Sequence, residues 1–333
     1  MKSLEFILQK FSCVLLFVFM LISLTSISYA GEPALNNEYR SAEQIRSFCN
    51  AHPIDSTSLG DSYVFSYQTL PILHDSYEPG MLSKKALTSP LNMIANIRYI
   101  AGLPADLKLS SDYNRMAQAA SLVSYSNHSI SHYPDLPSNM SSKTAKTGKK
   151  ACAESNLAWD SWQNTSLEYS ILNVWMKDDS PSNIKALGHR RWILSPEMKK
   201  TGFGAVSGSR GTYACMYVFD FSRKVKKNYQ VAWPAQQMPV SYFPEGTPWS
   251  LSLGKMLKAE KIPVTLTRVS DGTIWRFSKK AADGDFYISN EAYGQEGCII
   301  FNPKGIGRCN AGDRFRVNIT GAGKEICYEV NFF

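Results

Sequence analysis

The sequence predicts an α+β protein whose helix-rich part is followed by an all-β part. Three observations carry this. Apolar residues recur at helical spacing between residues 89 and 194. Two strand-like runs, TGFGAVS (201–207) and YACMYVFDF (213–221), close that stretch. From about residue 230 no helical period of useful length remains, and the texture changes within SRKVKKNYQ, 222–230. The change marks a boundary, and the segment 230–333 is expected to fold as its own unit.

The first element is a leader. Lys2 and Lys10 give a basic start, FSCVLLFVFMLIS (11–23) an apolar stretch, and Ser28-Tyr29-Ala30 a cleavage signal, so residues 1–30 read as a signal peptide of a secreted chain. The alternative, an uncleaved anchor, is opposed by a run shorter than the ~20 residues a span needs. No later segment is apolar enough to cross a bilayer. Residues 31–87 read as an N-terminal extension with one short helix in NNEYRSAEQIRSFCNA.

A helix is expected from Ser89 as N-cap and Pro90 at the first position, with Leu91, Ile94, Ile97 and Ile100 inward and Gly102 and Pro104 ending it. A second starts near Ser110 or Ser111 and turns Met116, Ala117, Ala120 and Leu122 inward. A third starts at Thr165, where Thr165 and Glu168 have capping-box spacing. Its apolar face is Leu167, Ile171, Leu172, Val174 and Trp175. GHRRWIL forms a short fourth, and GSRG joins the two strands as a hairpin. Beyond 230, runs such as IPVTLTRVS, TIWRFSK, CIIFNP and RFRVNIT are parted by turns at Asp271-Gly272 and Asp283-Gly284. Regularly spaced short strands predict a β-sandwich of immunoglobulin-like type.

The formal net charge is +8, and loss of Lys2, Lys10 and Glu5 with the leader lowers it by one. That charge permits attraction to anionic cell-wall polymers or lipid headgroups, while no nucleic-acid-binding motif accompanies it. Six cysteines follow the leader: Cys49, Cys152, Cys215, Cys298, Cys309 and Cys327. An even count in an exported chain predicts disulfides, and six allow fifteen full pairings. A Cys152–Cys298 bridge between the two parts is one of them. No CxxC spacing points to structural zinc.

Four residues of the helical part suit chemistry: His132 in SHYPD, Glu154 in AESNLAW, Asp178 in WMKDD and His189 in GHRRW. Two imidazoles and two carboxylates can hold a divalent ion or move protons. If GHRRWIL is helical, His189 shares a face with Trp192 and Ile193. Arg190 and Arg191 then turn toward solvent or acids. The alternative is a packed histidine bonded to a carbonyl. Asp178 in a last helical turn opposes the helix dipole by about 0.3–1 kcal/mol, which an imidazolium or metal would offset. The alternative there is a polar helix stop.

LNMIANIRYIAGLP, SHYPD, ESNLA, VWMKD, GHRRWILSP and TGFGAV, in this order over roughly 88–221, resemble the CAP superfamily. Its members include cysteine-rich secretory proteins, antigen 5 and pathogenesis-related proteins. The tail from VAWPA to VNFF is similar to an all-β extension of some bacterial members. The resemblance implies an α-β-α sandwich domain, 88–225, with a cleft lined by two histidines and two acids. His132 and His189 match the histidines, and Asp178 the second acid. The first acid departs from the pattern: its slot holds Ser155, and Glu154 stands one residue early. A weakly held zinc or other divalent ion is the cofactor this site would take. The resemblance further implies an extracellular binding module, at the cell wall or with small apolar ligands. Its partner would be a cell-wall polymer, a lipid or a protein. A metal-assisted hydrolase using the His/His/acid cleft is the alternative.

Overall fold

The computed structural model describes residues 35–59, 63–225 and 228–333. The expected leader, 1–30, lies outside them. Among the described residues no helix is long and apolar enough to cross a membrane.

In the extension, α1 (Ala42–Ala51) starts at a capping box: Ser41 accepts from the Gln44 amide, and the Gln44 side chain accepts from the Ser41 amide. A small hairpin follows, β1 (Tyr67–Thr69) with β2 (Met81–Leu82). Helix α2 (Lys84–Ile100) begins six residues before the expected start, with Ser83 as N-cap. Pro90 therefore stands inside the helix. The Ser89 hydroxyl, expected to cap, instead accepts from the amide of Asp55 and so fastens the extension.

After β3 (Lys108–Leu109), helix α3 (Ser111–Ser126) begins at the expected serine cap, Ser110. Helix α4 (Ser142–Ala153) has no counterpart in the sequence reading. It buries only Ala145, Gly148, Ala151 and Cys152, residues too small to make an apolar stripe. Strand β4 is Ser155–Asp160. Helix α5 (Leu167–Tyr169) takes Ser166, not Thr165, as N-cap, and runs on as a π-helical stretch, Ser170–Met176. The expected capping box is absent: Glu168 is buried and both its carboxyl oxygens lack a hydrogen-bond partner. Helix α6 (Gly188–Ile193) and the hairpin of β5 (Lys200–Gly208) and β6 (Gly211–Tyr217) complete this part.

The sheet order β3-β5-β6-β4 forms the middle of three layers. Side chains alternate across it, as a pleat demands. Leu157, Val206, Tyr213 and Cys215 join Ala117, Ala120 and Val123 of α3 and Ala145 and Ala151 of α4. Ala158, Phe203, Ala205, Ala214 and Met216 join Ile94 and Ile97 of α2 and Ile171 and Trp175 of the α5 stretch. The GFG of TGFGAV follows from the first contact. A β-carbon on Gly204 would lie 2.3 Å from the backbone of Ala117, so α3 rests directly on the strand.

The remainder is strand-rich: β7 (Val231–Trp233), β8 (Gln237–Met238), β9 (Trp249–Ser252), β10 (Val264–Arg268), β11 (Ile274–Phe277), β12 (Gly284–Ser289), β13 (Cys298–Pro303), β14 (Arg314–Ile319) and β15 (Ile326–Phe332). They form two sheets, β11-β10-β14-β15-β8 and β12-β13-β9-β7. Trp249 of β9 meets Phe315 of β14 edge to face at 5.4 Å, so the sheets pack together across aromatic rings.

No disulfide joins the six described cysteines, contrary to expectation. Cys152 and Cys215 sit in the α3/α4 core cluster, while Cys298 sits in a separate small cluster with Leu187 and Ile300. They pack as small apolar residues. Burial pushes the Cys152 thiol up to about 11. Leu35–Phe333 form one unit whose main core runs from the extension through the three layers into the β-rich part.

Candidate functional site

The site is built where α5 ends and α6 begins. The π-helical stretch closes with the Lys177 amide on the Leu172 carbonyl and the Asp178 amide on the Val174 carbonyl. Asp178 then adopts φ +53°, a left-handed conformation that ends the helix and redirects its side chain. Its carboxylate is buried and accepts the backbone amides of His189 at 3.0 Å and Arg190 at 3.4 Å. These are the second and third amides of α6, whose own N-cap position, Leu187, offers no side-chain acceptor. Asp178 thus caps a helix that lies eleven residues on. The sequence reading placed its charge against the dipole of its own helix. The structure adds the favourable positive end of α6.

The same carboxylate orients the imidazole. His189 Nδ1–H donates to Asp178 Oδ1 at 2.8 Å, which fixes the orientation of the ring. The imidazole is half-buried, and its backbone carbonyl accepts from Asn156 Nδ2 at 2.9 Å. Asn156 lies on β4 within ESNLA, so the strand motif fixes the helix that carries the histidine. Gly188 faces an aromatic ring. A β-carbon there would touch the Tyr293 ring at 3.6 Å. Tyr293 comes from the loop between β12 and β13, far away in sequence, and no local signal announces it. Its ring meets Trp192 edge to face at 6.2 Å, and Trp192 packs on Phe219 at 4.6 Å.

The two arginines overturn the expectation of solvent or acid partners. Arg190 and Arg191 are both buried. Arg190 donates to the carbonyls of Met176 at 2.6 Å, Lys177 at 2.9 Å and Pro248 at 2.7 Å, and to Ser250 Oγ at 3.0 Å. Arg191 donates to the carbonyls of Ala186, Glu291 and Gln295 and to Ser289 Oγ. Burial holds the Arg190 guanidinium down at about 10, still charged at neutral pH. A buried guanidinium is tolerated when most of its donors are satisfied: the Arg190 fork meets partners at every nitrogen, and of the Arg191 nitrogens Nε alone lacks one. Both side chains therefore join α6 to the β-rich part.

The other two candidates have hydrogen-bond partners of their own. His132 is exposed, and its Nδ1–H donates to the Cys152 carbonyl at 2.7 Å. Glu154 is the C-cap residue of α4. It accepts from the Tyr217 hydroxyl at 2.9 Å, and Lys150 Nζ lies 4.0 Å away. Ser155, in the slot of the first acid, turns into the core with its hydroxyl unpaired. Asp178 and His189 are thus brought into direct contact. Among the described residues, no three His, Cys, Asp or Glu side chains gather so as to hold a metal ion. Asp178 and His189 supply two donors, fewer than the three or four protein ligands of a tightly held zinc ion.

A search of curated proteins returns no match. Residues 91–221 match the family model CAP, the cysteine-rich secretory protein family. That span holds the central sheet and all four candidate residues, so residues 91–221 form a domain of the CAP family.

Proposed function

We propose that the chain works outside the cell, after loss of residues 1–30, as a non-catalytic binding module. Its partner is a cell-wall polymer, a lipid or a protein. One observation carries this reading: the three charged side chains next to His189, those of Asp178, Arg190 and Arg191, are committed to holding structure. Asp178 caps α6 while orienting the imidazole. Both guanidiniums beside it are spent on carbonyl oxygens and serine hydroxyls. A hydrolase needs donors aimed at developing charge as well as a poised base. A binding module needs a rigid surface, and this joint supplies rigidity. The strand-rich part adds a second rigid scaffold, which we read as immunoglobulin-like.

The test is direct binding. The full chain is immobilised and exposed to wall polymers, lipid vesicles and extracellular proteins, with and without a chelator. Saturable binding that survives chelation supports the module. Binding to none of the three classes contradicts it.

A further inference from the structure

Helix α4 carries an electrostatic arrangement that its fold does not need. Lys143, Lys146, Lys149 and Lys150 are all exposed, and the helix contains no acidic residue. Lys146 lies three or four positions from each of the other three, the spacing at which helical side chains are neighbours and like charges repel. Lys143 stands in the first turn, where the helix dipole already presents positive charge. The C-cap residue Glu154 lies 4.0 Å from Lys150 and is bonded to Tyr217. Nothing in the packing asks for this charge, since the buried face of α4 consists of alanine, glycine and cysteine.

One of the lysines, Lys143, also borders a concave seat. A cavity of about 470 Å³ lies between α4, α3 and β2, and Arg115, Lys143, Thr144 and Thr147 line it. Arg115 is paired with Asp112, which leaves Lys143 as the stronger cation at that edge. The form of the strip indicates its partner. Four residues spanning Lys143 to Lys150 cover roughly 10 Å of helix axis, a narrow line rather than a broad face. Helix α4 exposes no large apolar or aromatic side chain. It therefore lacks the residues that insert into a membrane or stack on bases. The cavity beside Lys143 is lined mainly by apolar groups such as Met81, Leu82, Leu87 and Phe203 and adds no hydroxyl-binding site, so it is the row of lysines that selects a linear chain with repeating negative charges.

We propose that the lysine strip of α4 docks a linear polyanionic glycan, through its carboxylate or phosphate groups. The proposal rests on the reading of the chain as a binding module and names where and what it binds. The test uses the full chain with four probes: hyaluronate, poly(glycerol phosphate), neutral dextran and phosphatidylglycerol vesicles. The wild type binds hyaluronate, poly(glycerol phosphate) or both, releases them as salt rises, and ignores dextran. The arm that binds identifies the anion. Replacing Lys143, Lys146 and Lys149 together by Gln weakens that binding about tenfold or more, because rim charges set attraction and its salt dependence. Lys146→Gln alone gives a smaller loss of the same sign, with melting temperature unchanged. Equal binding by wild type and the triple variant overturns the strip and leaves the module reading standing. Binding to the vesicles in preference to both polyanions overturns the glycan. Binding to neither polyanion overturns the proposal outright, while protein and lipid probes decide the module reading separately.

Discussion

Asp178 shows how one carboxylate can serve structure and site together. It terminates α5, caps α6 and holds His189 Nδ1 at 2.8 Å. Asp178→Ala should cost about 1–3 kcal/mol in urea unfolding, because a cap is lost and buried amides go unpaired. His189→Ala should cost less, since it removes a half-buried ring and no cap. The pairing was legible, because WMKDD and GHRRW are motif positions. The arginines were misread for a physical reason: charged residues are almost never fully buried unless paired, and their partners are carbonyls and serines of a distant segment. Glu168 was misread as a capping residue for a similar reason, its burial being set by the extension. Burial pushes its carboxyl above the usual 4.5, and the nearby Asp55 charge adds to this. The stability tied to a neutral Glu168 is full below 4.5 and is lost as pH rises through the higher folded value. Glu168→Gln should therefore stabilise the chain at neutral pH and leave it unchanged at pH well below 4.5, read from thermal melts across pH. A variant whose melts track wild type at every pH would contradict the burial argument.

At the scale of elements, the helices with large apolar residues and the later strands were read from periodicity alone. Helix α4 was not, since four lysines alternate with small residues and the helical period is carried by size rather than hydrophobicity. The start of α2 was misplaced because Pro90 suits a first helical position, whereas Ser83 takes the cap and the helix runs on through the proline. Close approach was legible only as glycine: Gly204→Val should destabilise by about 3 kcal/mol or more, since the new side chain meets the α3 backbone. The cysteines were misread because parity says nothing of placement. With thiol reagent, exposed Cys327 should react first and half-buried Cys49 more slowly. Cys152, Cys215, Cys298 and Cys309 should react only on unfolding. Labelling that finds fewer than six thiols in the denatured, unreduced protein would contradict the free-thiol arrangement.

At the scale of the molecule, the boundary near 230 is clear in texture but not in packing. Arg190 and Arg191 cross it, Asn96 Nδ2 donates to the Tyr242 hydroxyl at 3.0 Å, and Asn36 and Gln230 exchange hydrogen bonds through their amides and side chains. Sequence pattern reports element type and cannot report which surfaces meet. The joined core implies that the full chain melts in one transition and that a fragment 228–333 melts well below it. Calorimetry of both would show this, and an isolated fragment as stable as the whole would contradict it and support the two-unit expectation. The same joint bears on function, because it fixes the carboxylate and the two guanidiniums beside His189. The most direct measurement is turnover of ester, peptide and cell-wall substrates by wild type, His132→Ala and His189→Ala, with and without zinc. The expected result is no turnover above the uncatalysed rate in any of them, with folding intact throughout. Turnover by wild type that either substitution abolishes would contradict the binding module and establish a hydrolase.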